Sequence, residues 1–155
     1  MAGATMYKRI LVPVDGSETA NRALRTAVAL AAEQSAALHV VHVAEETPLY
    51  VSMDTLPYPP ADLMEALHKE GEGILAEAVA TARNQNIEAD AKLLVIDGPG
   101  RGISEAIEQE AEHWDADLIV IGTHGRRGFR RLLLGSVAEN LIRFSTKPVL
   151  LIRGA

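Results

Sequence analysis

The sequence predicts an α/β fold, a single doubly wound sheet of five parallel strands in the order 3-2-1-4-5 with helices on both faces. Short apolar runs alternate with segments whose apolar residues recur at helical spacing. Such alternation is typical of a parallel sheet that helices cover on both sides. The 155 residues, 48% hydrophobic and 23% charged, also suit one globular domain spanning residues 1–155.

Five apolar runs, several of them rich in β-branched residues, predict the strands. They cover residues 8–15, 37–43, 89–96, 117–122 and 149–153. The first run contains Pro13, which has no N–H group, so we expect Pro13 near the end of that strand. The first and fourth strands end at Asp15 and Gly122. In the predicted order these ends meet where the direction of winding reverses, which is where open parallel sheets bind ligands.

Four segments with apolar residues at helical spacing predict the helices. They cover residues 18–34, 61–86, 102–114 and 136–144. Ser17 is of a residue type that caps helix N-termini, and it precedes the first of these segments. A stripe of small apolar residues on that helix should face the sheet: Ala20, Ala23, Leu24, Ala27, Val28 and Ala31. Gly71 and Gly73 are weak points of the second helix, because glycine is a poor helix former.

The segment 44–60 is unusually long for a connection and contains four of the seven prolines. Its length is compatible with a lid or a partner-contact segment, but a surface loop is the favoured interpretation.

Residues 122–136 connect the fourth strand to the last helix and contain four glycines and four arginines. A strand followed by a glycine-rich loop and a helix N-terminus is a common framework for binding phosphate. Main-chain N–H groups can approach the anion there, and the helix dipole favours negative charge. The stretch therefore predicts an anion site that holds the phosphates of a nucleotide.

Ser136 has two interpretations from the residues alone. Its hydroxyl can contact phosphate, or it can cap the last helix in a Ser-x-x-Glu capping box with Glu139. The loop is not a Walker A motif, because Gly-x-x-x-x-Gly-Lys-Ser/Thr is absent and no lysine lies in the stretch.

The spacing Gly122-x-x-Gly125, nine residues, then Gly135-Ser136 resembles the nucleotide loop Gly-x2-Gly-x9-Gly-Ser/Thr of the universal stress protein family. Residues 10–17 (ILVPVDGS) are similar to that family's first strand, and residues 146–152 (TKPVLLI) to its last. The order of elements agrees along nearly the whole chain. The complete loop is similar to the ATP-binding branch of the family.

This resemblance implies which residues contact the adenosine part of ATP. Asp15 would accept hydrogen bonds from the base or ribose, with Pro13 and Val14 beside it. Val43 would line the adenine pocket through its main chain.

The resemblance also implies the ribose and phosphate contacts. Ile121 and Gly122 would lie under the ribose. The residues implied to hold the phosphates are Gly125, Gly135, Ser136 and Val137. Arg126 and Arg127 are compatible with phosphate clamps and equally with solvated loop charges. Family members often carry a hydroxyl residue where Ala138 stands here, which removes one phosphate contact.

The implied function is a stress-response or signalling module that binds ATP, with Mg²⁺ on the phosphates, and hydrolyses it slowly at most. No residue is assigned a catalytic or metal-ligating role. Members of the family commonly dimerise by pairing the last strand, which here starts at Val149 and ends at Arg153. Such pairing would cover an edge that is otherwise exposed.

Composition excludes several other classes. A net charge of −6 is unfavourable for general binding of nucleic acid or anionic membranes. The absence of cysteine excludes disulfides, thiol catalysis and thiolate metal sites. No apolar run reaches membrane-spanning length and the N-terminus lacks a signal-peptide pattern, so we expect a cytoplasmic protein.

Alternative functions remain open at this point. Asp15, Asp97 and Thr123 end strands, as a phospho-acceptor receiver domain requires, but the acidic pair after the first strand is reduced to one residue. Lys147 also precedes the last strand, at the wrong end of the sheet. A flavin enzyme is disfavoured because the turn after the first strand is not rich in threonine and glycine. A dimeric scaffold that binds no nucleotide is a further alternative.

The histidines and the tryptophan give weaker signals. His39 and His42 have no companions at metal-ligand spacing, so we interpret them as core or sheet-end residues. His68 and His113 are predicted on helix surfaces and Trp114 in the core, whereas the role of His124 within the loop is open.

Overall fold

The computed structural model describes residues 6–45, 61–96, 102–124 and 134–154, and it contains five strands and four helices in these ranges. The strands are β1 Arg9–Pro13, β2 Ala37–Glu45, β3 Ala89–Ile96, β4 Leu118–Gly122 and β5 Val149–Ile152. The helices are α1 Glu18–Gln34, α2 Ala61–Arg83, α3 Ile103–His113 and α4 Ser136–Phe144.

The strands form one all-parallel sheet in the order β3-β2-β1-β4-β5, which confirms the predicted topology. One face of the sheet packs against α1 and α2, and the other packs against α3 and α4. The buried side chains therefore form two apolar cores, one on each face. β1 lies at the centre of the sheet, and Ile10, Leu11 and Val12 are completely buried there.

The first helix was predicted correctly in its bounds, its cap and its buried face. The Ser17 hydroxyl accepts a hydrogen bond from the Ala20 N–H at 3.2 Å. All six residues of the predicted stripe are buried. The local signals are strong here because the cap residue and the apolar spacing agree with each other.

Two strands differ from the prediction by two residues at their carboxyl ends, and β4 and β5 by one residue at one end. β1 ends at Pro13, two residues early, whereas β2 continues to Glu45, where it is paired with Ile96 of β3. A strand ends where its neighbouring strand no longer pairs with it. The residues of one strand do not reveal where the neighbouring strand ends.

Gly71 was predicted to be a weak point of α2, but the packing of α2 on the sheet requires a glycine at this position. A Cβ atom at this position would lie 2.6 Å from Leu93 Cδ1 and 2.9 Å from His42 Cδ2. Glycine therefore lets α2 lie close to β2 and β3. A Cβ atom at Gly73 would meet nothing within 4 Å, so Gly73 carries only the cost of a helical glycine.

Candidate functional site

A cavity of about 420 Å³ lies beyond the carboxyl ends of β1 and β4, where the strand order reverses. All nine of the described candidate residues line it: Pro13, Val14, Asp15, Val43, Ile121, Gly122, Gly135, Ser136 and Val137. The other three candidates, Gly125, Arg126 and Arg127, lie outside the described residues. The cavity has the size of a site for a small molecule or cofactor.

Asp15 stands in the turn between β1 and α1. Its Oδ1 atom accepts a hydrogen bond from the Ser17 N–H at 2.9 Å, and the intervening Gly16 has a φ of 81°. A left-handed conformation favours glycine at this position. The carboxylate therefore shapes the turn and at the same time lines the cavity.

Val43 presents its main-chain N–H and C=O groups to the cavity because β1 ends before it reaches the level of Val43. The β1–β2 register ends at Pro13 and Val41, and the Val14 N–H donates to the Val41 carbonyl at 2.8 Å. Alternate residues of a strand direct their N–H and C=O groups to the same side. The N–H and C=O groups of Val43 therefore point to the side where β1 has turned away.

The glycines at 122 and 135 are required for close packing of main chains. A Cβ atom at Gly122 would lie 2.7 Å from Thr19 Cγ2 and 3.1 Å from the Thr19 carbonyl, on α1. A Cβ atom at Gly135 would lie 2.9 Å from the Thr123 carbonyl oxygen. Among the described residues only Gly16 is a glycine with positive φ. Glycine is therefore required at position 122 by close packing and not by a left-handed backbone conformation.

The start of α4 offers main-chain donors to the cavity. The Gly135 N–H is already bonded to the Thr123 carbonyl at 2.7 Å, and the Glu139 N–H bonds to the Gly135 carbonyl at 2.9 Å. The amides of Ser136, Val137 and Ala138 lie in the first helical turn, where N–H groups have no partner within the helix. With respect to the described residues, three donors and the positive end of the helix dipole thus remain for an anion.

The capping-box interpretation of Ser136 is wrong. The N-cap is Gly135, which has no side chain to cap with, and Ser136 is the first residue of the helix. Within the part of the chain that the structure describes, the Ser136 hydroxyl makes no hydrogen bond. It lines the cavity instead.

The charged side chains that line the cavity, among the described residues, are all acidic: Asp15, Glu45 and Glu70. They belong to the turn after β1, to β2 and to α2, whereas Ser136 and Val137 lie at the start of α4. The acidic side chains and the amide donors of the cavity wall therefore come from different parts of the fold.

Sequence reasoning missed several contributors to the cavity, among them His42 and Glu70. His42 lines it, and because the Val14 carbonyl can only accept, the His42 Nδ1 atom carries the proton of their 2.7 Å hydrogen bond. Glu70 of α2 also lines it. Its contribution depends on how α2 crosses the sheet, which the spacing of residues within α2 does not reveal.

His124 also lines the cavity, and its Nδ1 atom lies 2.9 Å from Thr123 Oγ1. Its Nε2 atom is buried and has no hydrogen-bond partner within the described ranges. The other predicted residues fall as follows: His39 is buried, His113 is exposed, and Trp114 is half-buried at the end of α3.

The phospho-acceptor receiver alternative requires a lysine at the same end of the sheet as the acidic residue after β1, and Lys147 does not meet this requirement. Lys147 lies before β5 and Asp15 follows β1, so in a parallel sheet they stand at opposite ends. Asp97 and residues 46–60 lie outside the described residues. Ala44 and Glu45, the start of the long connection in our prediction, belong to β2.

None of the helices in the described ranges is both long enough and apolar enough to cross a bilayer. No group of three or more His, Asp or Glu residues in these ranges is arranged to hold a metal ion.

The sequence profile of the Universal stress protein family matches residues 6–153. Universal stress protein YxiE of Bacillus subtilis is 33% identical over 153 residues, covering 96% of this chain and all of the relative. Among solved structures, a universal stress protein family member from Burkholderia pseudomallei is 35% identical with a TM-score of 0.77, covering 96% of this chain and 98% of its own. A universal stress protein of Archaeoglobus fulgidus in complex with dAMP is 29% identical with a TM-score of 0.70, covering 96% and 99%.

Proposed function

The chain belongs to the universal stress protein family, and on that premise we propose that it is a cytoplasmic stress-response or signalling module that binds ATP. The observation that carries the proposal is the gathering of nine candidate residues around one cavity at the reversal of strand order. These residues come from four separate elements of the chain. The Archaeoglobus relative that binds dAMP supports an adenine nucleotide as the class of ligand.

The polarity of the cavity supports one orientation of the nucleotide. Asp15, Glu45 and Glu70 line the cavity and would repel phosphate. A carboxylate is a strong acceptor for ribose hydroxyl groups or the adenine amino group. The triphosphate would lie at the start of α4, where Ser136 and Val137 line the cavity and three amides lack helical partners.

The adenine ring would be recognised by the main chain of Val43. Adenine carries an acceptor nitrogen beside an amino donor, which is complementary to one N–H and one C=O group of a strand. The missing continuation of β1 leaves these two groups of Val43 on the cavity side. A base with the opposite pattern of donors and acceptors, such as guanine, would leave both groups unpaired, at a cost of about 1–3 kcal/mol each.

Mg²⁺ would accompany the phosphates, because this ion binds phosphate oxygens and water and needs few protein ligands. We propose binding with slow turnover at most. The Asp15 carboxylate is engaged in the turn to α1 and lines the proposed adenosine end, so it is poorly placed to activate a water molecule at the γ-phosphate.

We further propose that the protein forms a homodimer through β5. This edge strand has four apolar residues, and its Leu150 side chain is 37% exposed. Phe144, at the end of α4, is 71% exposed. A bare apolar edge favours pairing with a second strand.

Two measurements test the proposal directly. The nucleotide content of freshly purified protein, measured by denaturation and chromatography, should show ATP. Calorimetry on the emptied protein should give micromolar affinity, about −8 kcal/mol. If neither nucleotide content nor affinity is found and the protein is a dimer in sedimentation, the chain is a nucleotide-independent scaffold.

The orientation of the ligand is tested with Asp15→Asn. Asparagine keeps an oxygen for the Ser17 N–H and so preserves the turn, but it loses the negative charge. Adenosine and ATP should both bind more weakly, by a similar factor. Weakened binding of ATP alone would mean that Asp15 faces the phosphates, and the proposed orientation would be reversed.

A further inference from the structure

Glu110 of α3 is a buried carboxylate with both oxygen atoms engaged. The residue is 6% exposed. Its Oε1 atom lies 3.0 Å from His39 Nε2 on β2, and its Oε2 atom lies 2.7 Å from Lys92 Nζ on β3. One side chain of the helix therefore fastens α3 to two neighbouring strands.

The carboxylate is held in its charged form. Burial raises the pKa of Glu110, but hydrogen bonds and charge interactions with Lys92 and His39 outweigh it, so the pKa is lowered from its ordinary value of 4.5. A buried charge with two partners is stable, whereas removing one member of such a group leaves an uncompensated polar atom in the interior.

Aromatic and cationic groups extend this cluster toward β1. The His39 ring stacks on Trp114 with ring centroids 4.8 Å apart, and the Arg9 guanidinium lies 4.0 Å from the centre of the Trp114 ring. The Arg9 Nε–H also donates to the Trp114 carbonyl at 2.8 Å. Trp114 is the one tryptophan of the chain, so its fluorescence reports on this cluster alone.

The same two elements form walls of the ligand cavity. Ile107, three residues before Glu110, lies on the same face of α3, and both Ile103 and Ile107 line the cavity. On β2, Val43 lies four residues after His39 and therefore on the same face of the sheet. The hydrogen bond between Glu110 and His39 thus ties the two walls together.

We propose that Glu110 is a positioning residue for the ligand cavity, holding Ile103 and Ile107 of α3 at a fixed distance from Val43 of β2. The identity of the ligand rests on the proposed function, but the positioning does not. A closely packed interior transmits a shift of α3 to these two side chains, which are the apolar surface offered to a flat base.

The test compares Glu110→Ala with Glu112→Ala, which removes an exposed carboxylate from the same helix. Calorimetry should show that Glu110→Ala weakens ATP and adenosine by the same factor, about tenfold, because the wall contacts the base and not the phosphates. Glu112→Ala should leave both affinities unchanged. Trp114 emission should shift in the Glu110 variant only, since its stacking partner loses its anchor.

Glu110→Gln serves if the alanine variant does not fold. Glutamine keeps two polar atoms for His39 and Lys92 but loses the charge, so it should weaken ATP and adenosine equally, by a smaller factor than alanine does. Unchanged nucleoside affinity in both Glu110 variants, or an equal loss in Glu112→Ala, would overturn the proposal.

Amide hydrogen exchange tests the positioning role of Glu110 independently of the proposed ATP-binding function. If the wild-type protein binds no nucleotide, the proposed function has failed. Positioning is then judged on the empty protein, where Glu110→Ala should speed exchange at Ile107 at least tenfold and Glu112→Ala should not. Equal protection at Ile107 in both variants would refute it.

Discussion

Replacing Ser136 by alanine distinguishes a phosphate contact from a structural role of the hydroxyl. Ser136 is exposed, is the first residue of α4, and makes no hydrogen bond with other described residues. The empty protein therefore loses nothing on substitution, and alanine, the better helix former, should stabilise α4 by up to about 0.5 kcal/mol.

ATP binding should weaken considerably in this variant. A hydrogen bond to a charged group contributes about 1.5–3 kcal/mol, which corresponds to a rise in Kd of about 10- to 150-fold. Adenosine has no phosphate, so its affinity should stay the same. Calorimetry with both ligands and urea denaturation of the empty protein measure these effects.

Either of two results would refute this reasoning. Unchanged ATP affinity would show that the hydroxyl does not contact the phosphates. A loss of stability of 0.5–2 kcal/mol, about what a lost N-cap costs, would show that Ser136 caps the helix after all.

The remaining predictions concern stability. Gly73→Ala should raise Tm by about 2–4 °C, because a helical glycine costs about 1 kcal/mol. Gly71→Ala should lower Tm or leave it unchanged, and a rise equal to that of Gly73→Ala would contradict the packing at that site. Gly122→Ala should destabilise the empty protein by about 1–3 kcal/mol in urea denaturation, because its Cβ atom would meet the main chain of Thr19. The stability advantage of wild type over Glu110→Gln should persist at neutral pH and shrink as pH falls below 4.5 through the lowered pKa of Glu110. An advantage that grows on acidification would show that the carboxylate is not ionised in the folded protein.

Gly122 shows where sequence reasoning reached the correct region with an incomplete reason. The spacing of the glycines located the cavity, and Gly122 does line it. Its lack of a side chain, however, is required by Thr19 on α1, more than 100 residues earlier in the chain. Loss of ligand binding on a bulky substitution at Gly122 would therefore report on packing, and Ser136 is the cleaner site to test.

Ser136 itself was undecided from the sequence. Ser-x-x-Glu matches a capping box in any context, but the helix begins at Ser136, one residue earlier than the box requires. The contact between the Gly135 N–H and the Thr123 carbonyl decides that register, because it fixes where the chain enters α4.

The sequence by itself determined the order of the elements, the helix spans to within three residues, the parallel topology and the location of the cavity. These depend on local signals: apolar periodicity, the Ser17 cap, and glycines between a strand and a helix. Only the tertiary structure decided that β2 continues to Glu45, that Gly71 is required by packing, and that Glu110 is buried against His39, 71 residues away in the chain. A solvated glutamate and a buried one look the same within a helix, because burial depends on which distant side chains are brought to meet it.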